Sequence, residues 1–336
     1  MYTALGCNLD LNILFMTFFY RFLFTLKKVM NRRSIPYVYL ESSISNVEVI
    51  MDKKLDTRRF AEKEKLRLYK WPIKAEDIRN KYDVGIIVSF GSLIPQDIIE
   101  EFPLGILNVH ASLLPRWRGA APIIHAIMNG DTETGISILK IDPHKFDTGK
   151  IIRQYAVCIK PHETAKELTH RLAVVGANIL MECVRNLQRS IEYAVPQSED
   201  NVTYAKKVFP AHAKINWKTK TAEEIYNQYR ALAHLYPLTT HWFDFLIKIP
   251  NIKIDEITEM NPTNKANIQK LQLKEEIIPG LVEYSSRRSI IRIQCKDGKW
   301  IYTDSIILVK SRVLIANSFL INYIKNIKLL IKAVYL

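Results

Sequence analysis

The sequence predicts an α/β protein: a doubly wound, mostly parallel sheet, followed by a smaller, OB-like β-barrel domain. Three observations carry this. Through the first half, short β-branched runs alternate with stretches of helical period, the pattern of strands joined by crossover helices. Beyond residue 207 the alternation gives way to short strand-like pieces broken by Pro-Gly and Asp-Gly turns. Between the two lies a polar, turn-rich stretch, SIEYAVPQSEDNVTYAKK, at 190–207. A chain of 336 residues suits two domains better than one. The expected division is an α/β domain over 1–189, a linker over 190–207 and a basic C-terminal domain over 208–336.

The elements follow in order. The run LDLNILFMTFFYRFLF (9–24) is too short for a comfortable membrane span, and Arg21 interrupts it. A core strand at NILF followed by a helix at TLKKVM explains those letters. Residues 1–33 carry five bases against one acid, Asp10, which loosely resembles an organellar presequence, although residues 1–11 are few for an import signal. VEVI (47–50), RLYKW (67–71), VGIIVSF (84–90) and ILNVH (106–110) read as strands, with AEKEKL (61–66) and PQDIIEEF (95–102) as helices between them. APIIHAIMNGD reads as a helix with Pro122 in its first turn and Gly130 as its stop. TGISILKI (134–141) and KIIRQYAVCI (150–159) are strands, and 162–187 is a long helix. After the linker come a helix over 221–237 and strand-like pieces at 247–257, 277–286 and 289–308, with a long loop over 258–276.

Composition narrows the class. The net charge is +14, and residues 201–336 hold 21 Lys and Arg against 11 Asp and Glu. A basic module attached to a nearly balanced one fits a polyanionic partner, nucleic acid before membrane; a solvated lysine surface explains the same excess. Cys7, Cys158, Cys183 and Cys295 are scattered without a CxxC pair, so neither a disulfide scaffold nor a zinc site is expected; they read as buried, reduced thiols.

The chemistry concentrates in GILNVHASLLPRWRGAAP (105–122). On a strand, residues two apart share a face. Asn108 and His110 therefore project together at the C-terminal end of ILNVH, the edge where α/β ligands bind. An amide that donates beside an imidazole that moves a proton is a compact acyl-transfer pair. A lone sheet histidine is otherwise a satisfied structural residue. Asp147, in the loop DPHKFDTGK, is the third candidate: a carboxylate near His110 would stabilise imidazolium, but spacing does not decide whether it reaches. Asp142 and His144 read as loop residues, and Trp117 either stacks on a ligand or fills the core.

The run NVHASLLPRWRGAAP, with a downstream FDTG, resembles the signature of the folate-dependent formyltransferases. The RWRGAAP continuation and GDTETGISILKI are most similar to the branch acting on methionyl-tRNA, and KWP, FPLGILNVH and FDTG to its mitochondrial members. The likeness runs from about residue 45 to at least 320 and implies a formyltransferase-type, Rossmann-like first domain. It implies Asn108, His110 and Asp147 as the catalytic trio and 10-formyltetrahydrofolate as co-substrate. Ser112, Leu113, Leu114 and Pro115 would line one wall of the folate site, and Phe90, Leu93 and Ile94 of FGSLIP the other. The acceptor would be the α-amine of initiator methionyl-tRNA, with Arg116 and Arg118 at its incoming end and Lys206 and Lys207 along its phosphates; Lys214, Lys218 and Lys220 are further candidates. No metal and no membrane are expected, the default oligomeric state is a monomer, and the address implied is the mitochondrial matrix.

The chain departs from the family pattern in one place. Relatives follow their first strand with a glycine-bearing loop, where Met16–Phe24 here is aromatic and apolar. The basic loop after the second strand is reduced to MDKKLDTRRF, leaving Lys53, Lys54, Arg58 and Arg59 as candidates. Two other functions therefore stay open: a tRNA-binding pseudoenzyme with a degenerate N-terminal loop, and a related folate-dependent formyltransferase acting on another amine.

Overall fold

Strand β1 (Leu11–Thr17) lies inside a seven-stranded sheet, held by β2 (Ile44–Met51) on one side and β4 (Val84–Val88) on the other. The computed structural model describes residues 11–17, 44–51, 59, 62, 63, 65, 67–242, 245–254, 277–285, 290–308 and 313–315. The helices expected at 25–30 and 61–66, the altered loop after Thr17, Lys53, Lys54, Arg58 and the loop expected at 258–276 lie wholly or largely outside them. With β3 (Arg67–Lys70), β5 (Ile106–His110), β6 (Glu133–Lys140) and β7 (Ile151–Cys158), the strand order is β3-β2-β1-β4-β5-β6-β7. Pairing is parallel from β3 through β5; β6 and β7 are added antiparallel.

Sequence dictates which strands sit deepest. All five residues of β4, VGIIV, are buried, as a parallel strand covered on both faces must be. Beside it, helices α1 (Ala75–Ile78) and α2 (Gln96–Glu100) contribute Ile78 and Ile98 to a cluster with Ile73, Tyr82, Ile87, Ile94, Phe102 and Ile106. Each such side chain contributes on the order of 1.5–3 kcal/mol by leaving water. Helix α3 (Pro122–Met128) begins on its proline, and Gly130 follows in the left-handed region at φ +75°. The long helix α4 (Ala165–Arg185) and the short α5 (Leu187–Glu192) close this part of the chain.

The chain divides into two compact units: Met1–Ile123, Thr132–Pro161 and Glu167–Lys207 form one, while Ile124–Asp131, His162–Lys166 and Val208–Leu336 form the other. The second holds a single-turn 3-10 helix (Pro210–Ala213) and α6 (Ala222–Leu232), whose start is a capping box. The Thr221 hydroxyl accepts the Glu224 N–H at 3.2 Å, and the Glu224 carboxylate accepts the Thr221 N–H at 2.7 Å. The expected helix ran to 237, but α6 stops at Leu232, and β8 (Leu238–Trp242) starts just after Pro237 with alternate residues buried. β9 (Phe245–Ile249), β10 (Lys253–Ile254), β11 (Val282–Ser285), β12 (Ile290–Gln294), β13 (Trp300–Thr303), β14 (Ser305–Leu308) and β15 (Val313–Ile315) follow. They form two four-stranded antiparallel sheets, β10-β13-β12-β11 and β15-β14-β9-β8.

Cys183 and Cys295 are buried thiols, and burial, the leading cause, pushes them up to about 11 and about 12. Cys158 corrects the expectation: at the end of edge strand β7 it is exposed. Among the described residues no helix is long and apolar enough to cross a membrane.

Gly135 on β6 marks a point of close packing between β6, β7 and the turn after β5. A Cβ there would lie 2.2 Å from the Tyr155 carbonyl oxygen and 2.6 Å from a Leu113 methyl. Gly135→Ala is expected to cost about 1–3 kcal/mol or more, because backbone rather than a flexible side chain must give way. Thermal melting checks this, and an unchanged midpoint would contradict it.

Candidate active site

The site begins with the alternation of β5. Leu107 and Val109 are buried, while Asn108 and His110 share the opposite face, His110 at 6% exposure. Register fixes their neighbours: Asn108 pairs with Ile87 of β4 and Leu139 of β6, and His110 with Ser137 of β6. The chain then turns through ASLLPRWRG. Ser137, fully buried, organises that turn. Its hydroxyl donates to the Ser112 carbonyl at 2.7 Å and accepts from the Leu114 N–H at 3.1 Å and the Gln154 amide at 2.8 Å. One donor and two acceptors are all a hydroxyl offers, so it is saturated. The Ser112 hydroxyl in turn donates to the Arg116 carbonyl at 2.6 Å.

Asp147 does reach this face. It sits on the loop between β6 and β7 with φ at +57°, unusual for a residue other than glycine. Its Oδ1 accepts from Asn108 Nδ2 at 2.9 Å and lies 3.3 Å from His110 Nδ1. Its Oδ2 accepts the Gly119 N–H at 2.8 Å. His110 Nε2 lies 2.9 Å from the Trp117 carbonyl. Both ring nitrogens thus face acceptors, and only the doubly protonated imidazolium donates to both. Burial opposes charge on His110, but the Asp147 carboxylate and the Trp117 carbonyl outweigh it, so its pKa lies above the ordinary imidazole value. Burial likewise works against ionised Asp147, and His110, the Gly119 N–H and Arg118 outweigh it, holding the carboxyl below its usual range.

Gly119 is required where it stands. Its φ is +118°, and a Cβ would lie 2.8 Å from the Ala205 carbonyl oxygen. That contact reflects the stretch expected to be a linker. Residues 197–205 run alongside 117–121: Thr203 accepts the Trp117 N–H on its hydroxyl at 2.8 Å and the Arg118 N–H on its carbonyl at 2.9 Å. Ala205 donates to the Arg118 carbonyl at 2.7 Å and accepts from Ala121 at 3.1 Å.

The other expected site residues divide. Arg118, expected at the incoming tRNA end, is 5% exposed with its guanidinium turned onto Gln197, at 3.1 and 2.8 Å, and is corrected to an internal cation. Arg116 stacks over the Trp117 ring at 4.5 Å, so that tryptophan neither fills the core nor stands alone. Lys206 and Lys207 are exposed. Among the expected folate-facing residues, Leu114 packs inward with Leu139 and Ile151, and Ile94 belongs to the core cluster above. The Ser112 hydroxyl is held internally, so these three could meet a ligand only through backbone. Leu93 is exposed, Phe90 meets Trp71 edge-on at 5.0 Å, and Leu113 and Pro115 are half-buried. Ser137, Gln154, Gln197 and Thr203 were not anticipated. Only Ser137 left a signal, one hydroxyl in the apolar run GISILKI.

The chain matches the formyl transferase family model over residues 44–184 and the formyl transferase C-terminal domain model over 207–323. It is 39% identical over 277 residues to the mitochondrial methionyl-tRNA formyltransferase of Homo sapiens, covering 81% of this chain and 68% of that protein. The Bos taurus counterpart is 38% identical over 280 residues, with the same coverage of both chains. Among solved structures, the sugar 3N-formyl transferase WlaRD, determined in the presence of dTDP and 5-N-formyl-THF, superposes with a TM-score of 0.61 at 21% identity, covering 91% of this chain and 100% of that one. That last likeness concerns the fold.

The pairing of Asp147 with His110 sets a pH signature. The raised imidazole contributes stability below its unfolded pKa and loses it as pH rises through the folded value. The depressed carboxyl contributes above its unfolded pKa and loses it as pH falls through the folded value. The pair therefore stabilises fully between the ordinary carboxylate and imidazole ranges. Asp147→Asn should lower the His110 pKa, because burial then acts with little opposition. Titration of the imidazole by NMR checks this, and an unmoved or raised value would contradict it.

Proposed function

This chain belongs to the methionyl-tRNA formyltransferase family of formyl transferases, and from that premise we propose that Asn108, His110 and Asp147 carry out its formyl transfer. It moves a formyl group from 10-formyltetrahydrofolate to the α-amine of initiator methionyl-tRNA, for translation initiation, in mitochondria like the relatives it matches. The observation that carries the reading is the Asp147 carboxylate gathering an amide and an imidazolium onto one strand end.

Each residue has a step. The folate supplies an activated one-carbon unit on nitrogen when bound. Asn108 gives one amide hydrogen to Asp147 and has a second for the oxygen that becomes negative as the amine attacks. His110, charged in this arrangement, adds a second donor once Nε2 exchanges the Trp117 carbonyl for that oxygen. Overall the amine nitrogen loses one proton and the folate N10 gains one. The His110–Asp147 pair holds a proton where such a relay is needed. The residues present fit the folate through a donor set of amide and imidazolium, with Phe90 and Leu93 after β4 and Leu113 and Pro115 after the neighbouring β5 offering partly exposed apolar surface. No step calls on a metal.

Arg116, Lys206 and Lys207 are the cations proposed to meet the tRNA. The gathered trio argues against a pseudoenzyme that keeps only RNA binding. The likeness to methionyl-tRNA enzymes through both domains argues against another amine as acceptor.

Asn108→Ala and His110→Ala should each lower kcat by about 10²–10³-fold, the scale of a lost oxyanion donor, with tRNA affinity retained. Formylation of charged initiator tRNA measures this, and wild-type turnover in either variant would refute the assignment. Replacing both Lys206 and Lys207 by Ala should flatten the slope of log affinity against log salt by roughly 0.7–0.9 for each phosphate no longer neutralised. An unchanged slope in a filter-binding series would remove both lysines from the tRNA track.

A further inference from the structure

The geometry points to Gln197 as a positioning residue that clamps the Asp147 loop to Arg118 and so holds the carboxylate against Asn108 and His110; we propose this on the basis of the functional reading above. Its side-chain amide is used at both ends. Nε2 donates to the Asp147 carbonyl at 2.7 Å and to the Gly149 carbonyl at 2.9 Å. Oε1 accepts from Arg118 Nε at 3.1 Å and Nη2 at 2.8 Å. An amide can supply two donors and two acceptor sites, and here all four face a partner.

Those partners sit where the reaction is most sensitive to placement. Asp147 has left-handed backbone, a conformation that persists in an L-residue only when its surroundings over-determine it. Its carboxylate is fixed by Asn108, His110 and the Gly119 N–H; its carbonyl is fixed by Gln197. Gly149, two residues on, has no room to shift: a Cβ there would meet the Lys140 carbonyl oxygen at 1.7 Å. Arg118 is equally constrained, buried and forked onto Gln197, and its charge helps keep Asp147 ionised. Among the described residues, Arg118 and His110 are the charged groups facing Asp147, and Asp147 is the one facing His110. Gln197 contacts neither ring nor carboxylate, so it acts through Asp147 and Arg118.

The test uses the full-length chain, with Gln197→Met, which keeps length and removes every polar interaction of the side chain, and Gln197→Glu, which keeps the acceptor for Arg118 and loses the donors. In Gln197→Met the His110 titration, followed by NMR without substrate, should move to lower pH than in the wild type. Its kcat for formylation should fall at least tenfold, with KM for tRNA and folate within about twofold. Gln197→Glu should also lose kcat, yet its imidazole should titrate no lower than the wild type's, because Arg118 stays anchored and a carboxylate is added. If Gln197→Met does not fold, the kcat loss and titration of Gln197→Glu decide. Wild-type kcat in either folded variant, or an unmoved titration in Gln197→Met beside a lowered melting point, would reduce Gln197 to scaffold and overturn the proposal. A wild-type protein that formylates nothing would sink the functional reading instead, and the substrate-free titration would still decide the clamp.

Discussion

The arrangement depends on one buried carboxylate that must stay ionised. Asp147 is 8% exposed in its side chain, and a carboxylate in that setting is costly unless each oxygen is met by a donor. Here three donors meet it: an amide from β5, an imidazolium from the same strand and a backbone N–H from Gly119. The same burial that penalises the charge strengthens each of those interactions. The charge on His110 and the charge on Asp147 therefore support each other, each favouring the ionised form of its partner against burial.

Much of the surrounding structure meets the demands of that carboxylate. β5 brings Asn108 and His110 to one face only because Leu107 and Val109 occupy the other. The turn after His110 carries Gly119 back toward Asp147, and the saturated Ser137 hydroxyl and the Gln154 amide nitrogen hold that turn. Residues 197–205 fasten its far side: Arg118, between the positive-φ residues Trp117 and Gly119, is paired through its backbone, and the Trp117 N–H donates to the Thr203 hydroxyl. Two of the three gathered side chains stand on β5 and the third on a loop, and the turn that meets its carboxylate is tied to the sheet and to a paired segment.

What the sequence disclosed follows from the range of each signal. β4 and β5 were legible because burial on one or both faces writes itself into local periodicity, and Asn108 with His110 because two-residue spacing fixes a shared face. α6 announced its start in TAEE, whereas its end was masked by apolar letters continuing to Pro237. Whether Asp147 met His110 was not legible, since 37 positions separate them and only the fold brings them together. Arg118 misled for a related reason. An arginine beside a glycine reads as surface charge until Gln197, 79 residues on, is seen to cover it. A polar stretch such as 190–207 has no local mark separating a free connector from a strap hydrogen-bonded along its length.

The most direct measurement is a crystal structure of the full chain with a stable analogue of the co-substrate bound, one that carries its formyl group on N10. The formyl oxygen should lie about 3 Å from Asn108 Nδ2 or from a His110 ring nitrogen, with Asp147 still bridging the two, as a donor set aimed at a developing oxyanion requires. A formyl group bound away from both side chains, with the carboxylate's hydrogen bonds intact, would mean that the trio serves the fold rather than the transfer.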